Sequence, residues 1–156
     1  MVDNVYVEEL LKRPDSLNRK LLQLDAREEA LRYSLMIGGV SYDRDRVQVS
    51  PSDKMAEVFS KIDDIQRRRK EIAIEYKQAT DDIVNAVNRW LEPGSPEATV
   101  IIMSYVGKQP MKKIAEKLYY SCSHCYYLRD RGEVLMSQMQ KATENMQDCE
   151  QQQKGA

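Results

Sequence analysis

The longest regular pattern in the chain is a row of apolar positions between residues 55 and 90, spaced alternately by three and four residues. It predicts a helix of roughly 40 residues and about 60 Å, because an α-helix rises about 1.5 Å per residue. Ser50, Pro51 and Asp53 favour the start of this helix as N-cap, first helical residue and acidic capping-box residue. The row consists of Met55, Val58, Ile62, Ile65, Arg69, Ile72, Tyr76, Ala79, Ile83, Ala86 and Trp90. An amphipathic helix of this length needs a partner along its apolar side.

A shorter row of the same kind precedes it and is the nearest candidate partner. Its members are Leu17, Leu21, Leu24, Glu28, Leu31 and Leu35. Gly38 and Gly39 predict its end, because glycine accepts the left-handed conformation found after helix C-termini. The two helices would fold back antiparallel across a loop of residues 38–50, with Glu28 facing Arg69 and setting the register. Two alternatives stay open: the two charges could lie at the rim, or the long row could pair with a second copy of the chain as a homodimer.

Prolines divide the chain at two further places. Pro14 predicts a break or kink near Arg13, because proline removes a backbone donor, so a short N-terminal helix would precede the leucine row. The segment of residues 92–96 is the clearest predicted boundary, since its Pro-Gly pair stops the long helix. Ser95 as N-cap and Pro96 at the first helical position then predict a short helix over residues 97–106.

The stretch from Pro110 to Gln140 predicts two helices joined by a tight turn. Ile114, Ala115 and Leu118 form the apolar ridge of the first helix, and Ser121 is the predicted N-cap of the second. The predicted inner face of the second helix comprises Cys125, Leu128, Gly132, Leu135 and Met139. This is the helix-turn-helix pattern, although a plain helical hairpin in a small bundle would have the same spacing.

These patterns together predict an all-α protein. Residues 1–91 would form a long antiparallel, coiled-coil-like helical hairpin, and residues 92–96 a hinge. Residues 97–140 would form a small C-terminal helix-turn-helix domain, followed by a polar, disordered tail at residues 141–156 that is rich in Gln, Glu and Lys.

The outward positions of the second helix carry hydroxyl, aromatic and basic side chains, which suit contacts with nucleic acid. Residues 110–131 contain five basic and two acidic residues, a local charge of +3 in a chain whose net charge is −1. Any electrostatic attraction to DNA must therefore be local. The candidate DNA-binding residues are Lys112, Lys113, Lys117, Ser121, Ser123, His124, Tyr127, Arg129 and Arg131.

The segment IAEKLYYSCSHCYYLRDRGEVL resembles the helix-turn-helix of sigma factor region 4. More widely, the chain is similar to a family of phage- and prophage-encoded regulators that carry this domain at the C-terminus, after a helical hairpin. The segment DRVQVSPSDKMAEVFSKIDDI is similar to the loop and helix start of that family. The resemblance is loose over residues 17–91 and best over residues 96–136. It implies a DNA-binding transcriptional regulator similar to phage late-gene activators, acting on double-stranded DNA in a bacterial cytoplasm, and the analogy with region 4 adds RNA polymerase as a partner.

Carried over by position, the resemblance assigns roles to individual residues. Ser121, Ser123, His124 and Tyr127 would face bases, and Arg129 and Arg131 would meet phosphate or base edges. Three positions depart from the family pattern. Tyr119 replaces the usual Gly of the turn, Cys125 replaces a common Val, and Gly132 replaces Ala, which weakens a helix by about 1 kcal/mol.

Other classes of function find little support in the residues. Cys122, His124 and Cys125 supply half of a zinc site, with only Cys149 left to complete it, so neither a metal nor another cofactor is expected. With one histidine and no phosphate-binding glycine loop, the chain is not expected to be an enzyme, and no apolar run is long enough for a membrane span. The basic run 67–70 is best explained as a solvated helix face. The competing hypothesis is a non-enzymatic interaction or scaffold protein that acts through its coiled-coil row.

Overall fold

Helices account for all the regular secondary structure in a computed structural model that describes residues 5–37 and 51–155. They are α1 (Val5–Ile37), α2 (Pro51–Trp90), α3 (Pro96–Ile101), α4 (Met111–Leu118) and α5 (Cys122–Lys154), with a π-helical turn at Ile102–Val106 after α3. The prediction of an all-α protein is confirmed for this part of the chain. The predicted loop 38–50, with its helix stop at Gly38 and its N-cap at Ser50, lies outside the described residues.

Packing divides the chain into two compact units, and the division differs from the predicted boundary. One unit consists of Met1–Pro14 and Gln78–Ala156, and the other of Asp15–Lys77. Residues 92–96 form a turn inside the first unit, with Gly94 at φ +80° and Ser95 accepting a hydrogen bond from the Ala98 N–H at 3.3 Å. The sequence locates the break between α2 and α3 correctly, but Pro and Gly mark the ends of helices, and here the core continues past them.

Helix α1 runs through Pro14 without the break predicted near Arg13. Pro14 is fully buried, and Leu11 and Val7, one and two turns before it, are each 2% exposed. A proline inside a helix loses one backbone hydrogen bond, at a cost of about 3 kcal/mol. Burial of this apolar side of α1 offsets that cost, a tertiary effect that the local sequence does not contain.

The first unit has an apolar core drawn from four helices. Its buried members are Val7, Leu11, Ile83, Ala86, Val87, Leu91, Ala98, Ile101 and Met136. The start of α1 lies antiparallel to the end of α2, because Tyr6 meets Trp90 edge-to-face at 6.2 Å and Arg13 pairs with Asp82 at 3.7 Å. This core packs α3 and α5 together with the start of α1 and the end of α2.

In the second unit, Glu28 faces Arg69, as one of the sequence hypotheses proposed. Arg69 Nη2 lies 2.6 Å from Glu28 Oε2, and Arg32 Nη2 lies 2.8 Å from Glu28 Oε1. The hydrogen bond from Arg32, together with the contact with Arg69, lowers the pKa of Glu28 although its burial acts to raise it. The two charges that interrupt the apolar rows therefore meet each other, and this contact sets the register of α1 against α2 within this unit.

Helix α5 is longer than predicted, and in its second half different residues are buried from those predicted. It continues to Lys154, although residues 141–156 were expected to be a disordered tail. Gln, Glu and Lys, which are frequent in this segment, favour helix by intrinsic propensity. Met136 is fully buried, whereas the predicted core residue Met139 is 47% exposed.

Candidate nucleic-acid interface

The turn between α4 and α5 is built from backbone hydrogen bonds and one side-chain cap. Tyr119 adopts the left-handed conformation, with φ 58° and ψ 37°, and the Tyr120 N–H bonds the Ala115 carbonyl at 3.0 Å. That arrangement satisfies the last carbonyls of α4. The Ser121 hydroxyl accepts a hydrogen bond from the His124 N–H at 3.2 Å, so Ser121 is the N-cap of α5 as predicted.

Helices α4 and α5 pack through a second apolar cluster. Its buried members are Val100, Met111, Ile114, Ala115, Cys125 and Leu128. Cys125 is fully buried, and this burial raises the pKa of its thiol. The ridge predicted on α4 and the first half of the inner face predicted on α5 are thus in contact.

The first turns of α5 expose a group of aromatic side chains. The Tyr120 and His124 rings meet edge-to-face at 5.0 Å, and the His124 and Tyr127 rings stack at 6.1 Å with an interplanar angle of 22°. Tyr127 is 56% exposed, and Tyr119, at the turn, is 95% exposed. We call Tyr119, Tyr120, His124 and Tyr127 the aromatic patch.

The polar and basic candidates near the patch are also open to solvent. Ser121 and Ser123 are exposed beside it, and Lys112, Lys113 and Lys117 are exposed along α4. Lys113 and Lys117 lie one turn apart, so they share one side of the helix. The structure therefore brings seven of the nine predicted residues together on exposed positions of α4, the turn and the first turns of α5.

Arg129 and Arg131, the other two, are held by carboxylates of their own chain. Arg129 lies 2.9 Å from Asp130 and 3.7 Å from Glu133, and its guanidinium covers the Tyr126 ring at 5.1 Å. Burial acts to lower the pKa of Arg129, but the hydrogen bond to Asp130 and the nearby acidic groups raise it overall. Arg131 pairs with Glu97 of α3 at 3.5 Å. These carboxylates partly neutralise both arginines. The two arginines therefore add little net positive charge to the surface of α5.

Arg129 also lines a cavity that the sequence did not reveal. The cavity measures about 500 Å³ and is lined by Val7, Glu8, Leu11, Lys12, Tyr105, Arg129 and Glu133. Inside it the Tyr105 hydroxyl donates a hydrogen bond to Glu133. Burial, and then this bond, raise the pKa of Tyr105. The cavity depends on the start of α1 packing beside α5, which no local pattern predicts.

The three cysteines do not converge with His124. Cys122 and Cys149 are exposed and Cys125 is buried. Across residues 5–37 and 51–155, no three His, Cys, Asp or Glu side chains lie close enough together to hold a metal ion. None of the helices described there is both long and apolar enough to cross a membrane.

Comparison of the chain with protein-family models, with curated proteins and with solved structures finds no match. Its function must therefore be inferred from the chemistry of its own residues. Three features of α4 and α5 bear on function: the capped start of α5, the aromatic patch and the exposed lysines of α4.

Proposed function

We propose that this protein is a non-enzymatic, DNA-binding transcriptional regulator, encoded by a phage or prophage, whose recognition element is α4, the turn and the start of α5. The proposal includes the architecture expected from sequence, a helical hairpin followed by a helix-turn-helix domain similar to sigma factor region 4. RNA polymerase is a further proposed partner, by analogy with that domain.

The observation that carries the proposal is the exposed, capped start of α5 held on the buried face of α4. Ser121 caps the helix, and Ser123, His124 and Tyr127 project from its first turns into solvent. The N-terminal part of a recognition helix is the part that contacts base edges in the major groove. An ordinary solvated helix face would carry mostly Glu and Lys at these positions.

The lysines of α4 supply the phosphate contacts in this proposal. Lys112, Lys113 and Lys117 are exposed, and Glu116 is the single acidic residue of that helix. Arg129 and Arg131 are secondary phosphate contacts in this proposal, because each already pairs with a carboxylate of the chain, Arg129 with Asp130 and Arg131 with Glu97. Their removal should affect DNA binding less than removal of the lysines.

Fluorescence anisotropy with the DNA upstream of the protein's own gene, measured across a salt series, tests the proposal. A DNA-binding protein releases counterions from phosphates, so its affinity should fall steeply as salt rises. An unrelated duplex of equal length should bind more weakly at every salt concentration. Failure to bind either duplex at the lowest salt concentration would exclude the DNA-binding function.

A second candidate function, an interaction protein acting through the long helices, is favoured by one observation. Among its described residues, the second unit exposes seven large apolar side chains on its two helices, and their burial against a partner would be favourable. These residues are Leu22, Tyr33, Met36, Ile37, Met55, Phe59 and Ile74. Light scattering of the purified chain tests self-association through this unit, because pairing with a second copy would give a homodimer mass.

A further inference from the structure

We propose that the aromatic patch binds unpaired bases, so that the protein prefers DNA with a locally opened duplex over the same sequence fully paired. This inference rests on the proposed DNA-binding function and names the form of DNA that the same surface selects. The ligand is a short segment of unpaired bases flanked by duplex, with the lysines of α4 on the flanking phosphates.

The patch combines ring contact with exposure. Tyr120, His124 and Tyr127 form a continuous series of rings at separations of 5.0 and 6.1 Å, yet each of these residues remains exposed. Rings that contact one another on a helix surface hold a fixed orientation, so less conformational entropy is lost when a base stacks on them. Exposed aromatic side chains next to a basic surface are the feature that stacks on nucleotides in single-strand binding proteins.

Tyr119 extends the patch at a cost to the backbone. Its φ of 58° lies in the left-handed region, which L-residues other than Asn and Asp occupy rarely, and its side chain is 95% exposed. A ring with so little contact in its own chain does not contribute packing that offsets this strain. Strained positions cluster at binding sites, and here the strained residue presents a whole aromatic ring next to the start of α5.

Duplex DNA cannot use these ring faces. In an intact duplex each base face is covered by its neighbours, and side chains reach only the base edges in the grooves. Stacking on a side chain therefore requires a base that is unpaired or turned out of the helix. The patch adds stacking to the charge attraction of Lys112, Lys113 and Lys117, which a duplex and an opened duplex both experience.

The test compares three labelled DNAs of one sequence: the duplex, the duplex with a central mismatched bubble, and the single strand. We expect the bubble to bind at least about fivefold more tightly than the duplex, the lower end of the effect of one stacked base. Equal affinity for duplex and bubble would overturn this inference and leave the proposed function standing. Binding to none of the three would overturn both, and would leave a protein partner as the occupant of the patch.

Variants identify the rings as the cause. The double substitution Tyr120→Ala with Tyr127→Ala should reduce the preference for the bubble to near unity, because it weakens bubble binding more than duplex binding. Phenylalanine at both positions should retain the preference, because it keeps the rings and removes only the hydroxyls. If phenylalanine is as harmful as alanine, the hydroxyls bind the DNA and the stacking proposal is wrong.

Two further variants guard against loss of structure and against nonspecific effects. Tyr119→Gly suits the left-handed backbone and removes the ring, so it should weaken bubble binding severalfold without loss of helicity. Tyr33→Ala removes a tyrosine that is 63% exposed in the other unit and should leave both affinities unchanged. An unchanged preference in both Tyr119→Gly and the double alanine variant would contradict the proposal even if one of them were unstable.

Discussion

At Gly132, α5 lies so close to α3 that an added side chain must displace a neighbour. A Cβ atom there would lie 2.5 Å from Ile101 Cδ1 and 3.3 Å from Glu97 Cβ. Ile101 is fully buried, so its side chain has little room to move. The sequence suggested only a weakened helix at this position, whereas the structure adds a packing cost for any larger residue.

Gly132→Ala should therefore destabilise the protein by about 1 kcal/mol, although alanine is the better helix former. Overpacking of a filled core costs about 1–3 kcal/mol, and the gain in helix propensity returns about 1 kcal/mol. Urea unfolding of Gly132→Ala and of the wild type measures the difference in the free energy of unfolding. Adding Ile101→Val, which removes Cδ1, should recover part of the loss, while Gly155→Ala, where the nearest atom is 3.7 Å away, should be close to neutral.

Tyr119→Gly should raise the free energy of unfolding by about 1 kcal/mol. The left-handed conformation strains a tyrosine but not a glycine, and the ring is 95% exposed, so little packing is lost. Thermal and urea unfolding of the two proteins give the value. A lower stability of the glycine variant would mean that the Tyr119 ring supports the turn.

At the scale of a helix, the buried residues of α5 agree with the predicted ones at its start and depart from them towards its C-terminal end. Cys125, Leu128 and Gly132 are buried as predicted, but the next fully buried residue is Met136. The drift of a seven-residue repeat on a straight helix is only about 20° per heptad, so Met139 stays on the same side of α5 as Leu128 and Gly132. Its exposure means that the neighbouring helices no longer cover this side so far along α5, which the spacing of apolar residues cannot predict.

Alanine substitutions at Met136 and Met139 test which residues of α5 are buried. Met136→Ala should cost about 2–5 kcal/mol, because it opens a cavity in the core of the first unit. Met139→Ala should change the free energy of unfolding by no more than about 0.5 kcal/mol, as at other exposed positions. Equal losses at both positions would contradict the orientation of α5.

The Glu28 contact predicts a pH dependence of stability. Its hydrogen bond to Arg32 and its contact with Arg69 lower the pKa below the ordinary value of 4.5, despite the opposing effect of burial. A carboxylate with a lowered pKa adds stability above its unfolded-state pKa and loses it as the pH falls through the folded-state value. The wild type should therefore lose more stability between pH 5 and pH 3 than Glu28→Gln. Glu29→Gln, an exposed neighbour, should follow the wild-type profile.

At the scale of the whole molecule, local signals proved predictable and long-range packing did not. Ser95 and Ser121 were identified as caps because capping depends on a few adjacent residues. The meeting of Glu28 with Arg69 could be proposed because each is the charged member of an apolar row. The ion pair of Arg131 with Glu97 and the cavity around Arg129 depend on segments far apart in sequence. The division of the chain after residues 14 and 77 also depends on long-range packing. Both points lie within continuous helices, where no local signal marks a boundary.

The central claim is that α4 and the start of α5 bind DNA, and the salt dependence of binding tests it most directly. The variants to compare are the wild type, Lys113→Ala with Lys117→Ala, and the control Lys20→Ala with Lys70→Ala, which removes two exposed lysines of the other unit. Each lost phosphate contact lowers the slope of log affinity against log salt by about 0.9. We predict a slope smaller by about two for the α4 variant and unchanged for the control. Identical slopes and affinities in all three proteins would contradict the claim.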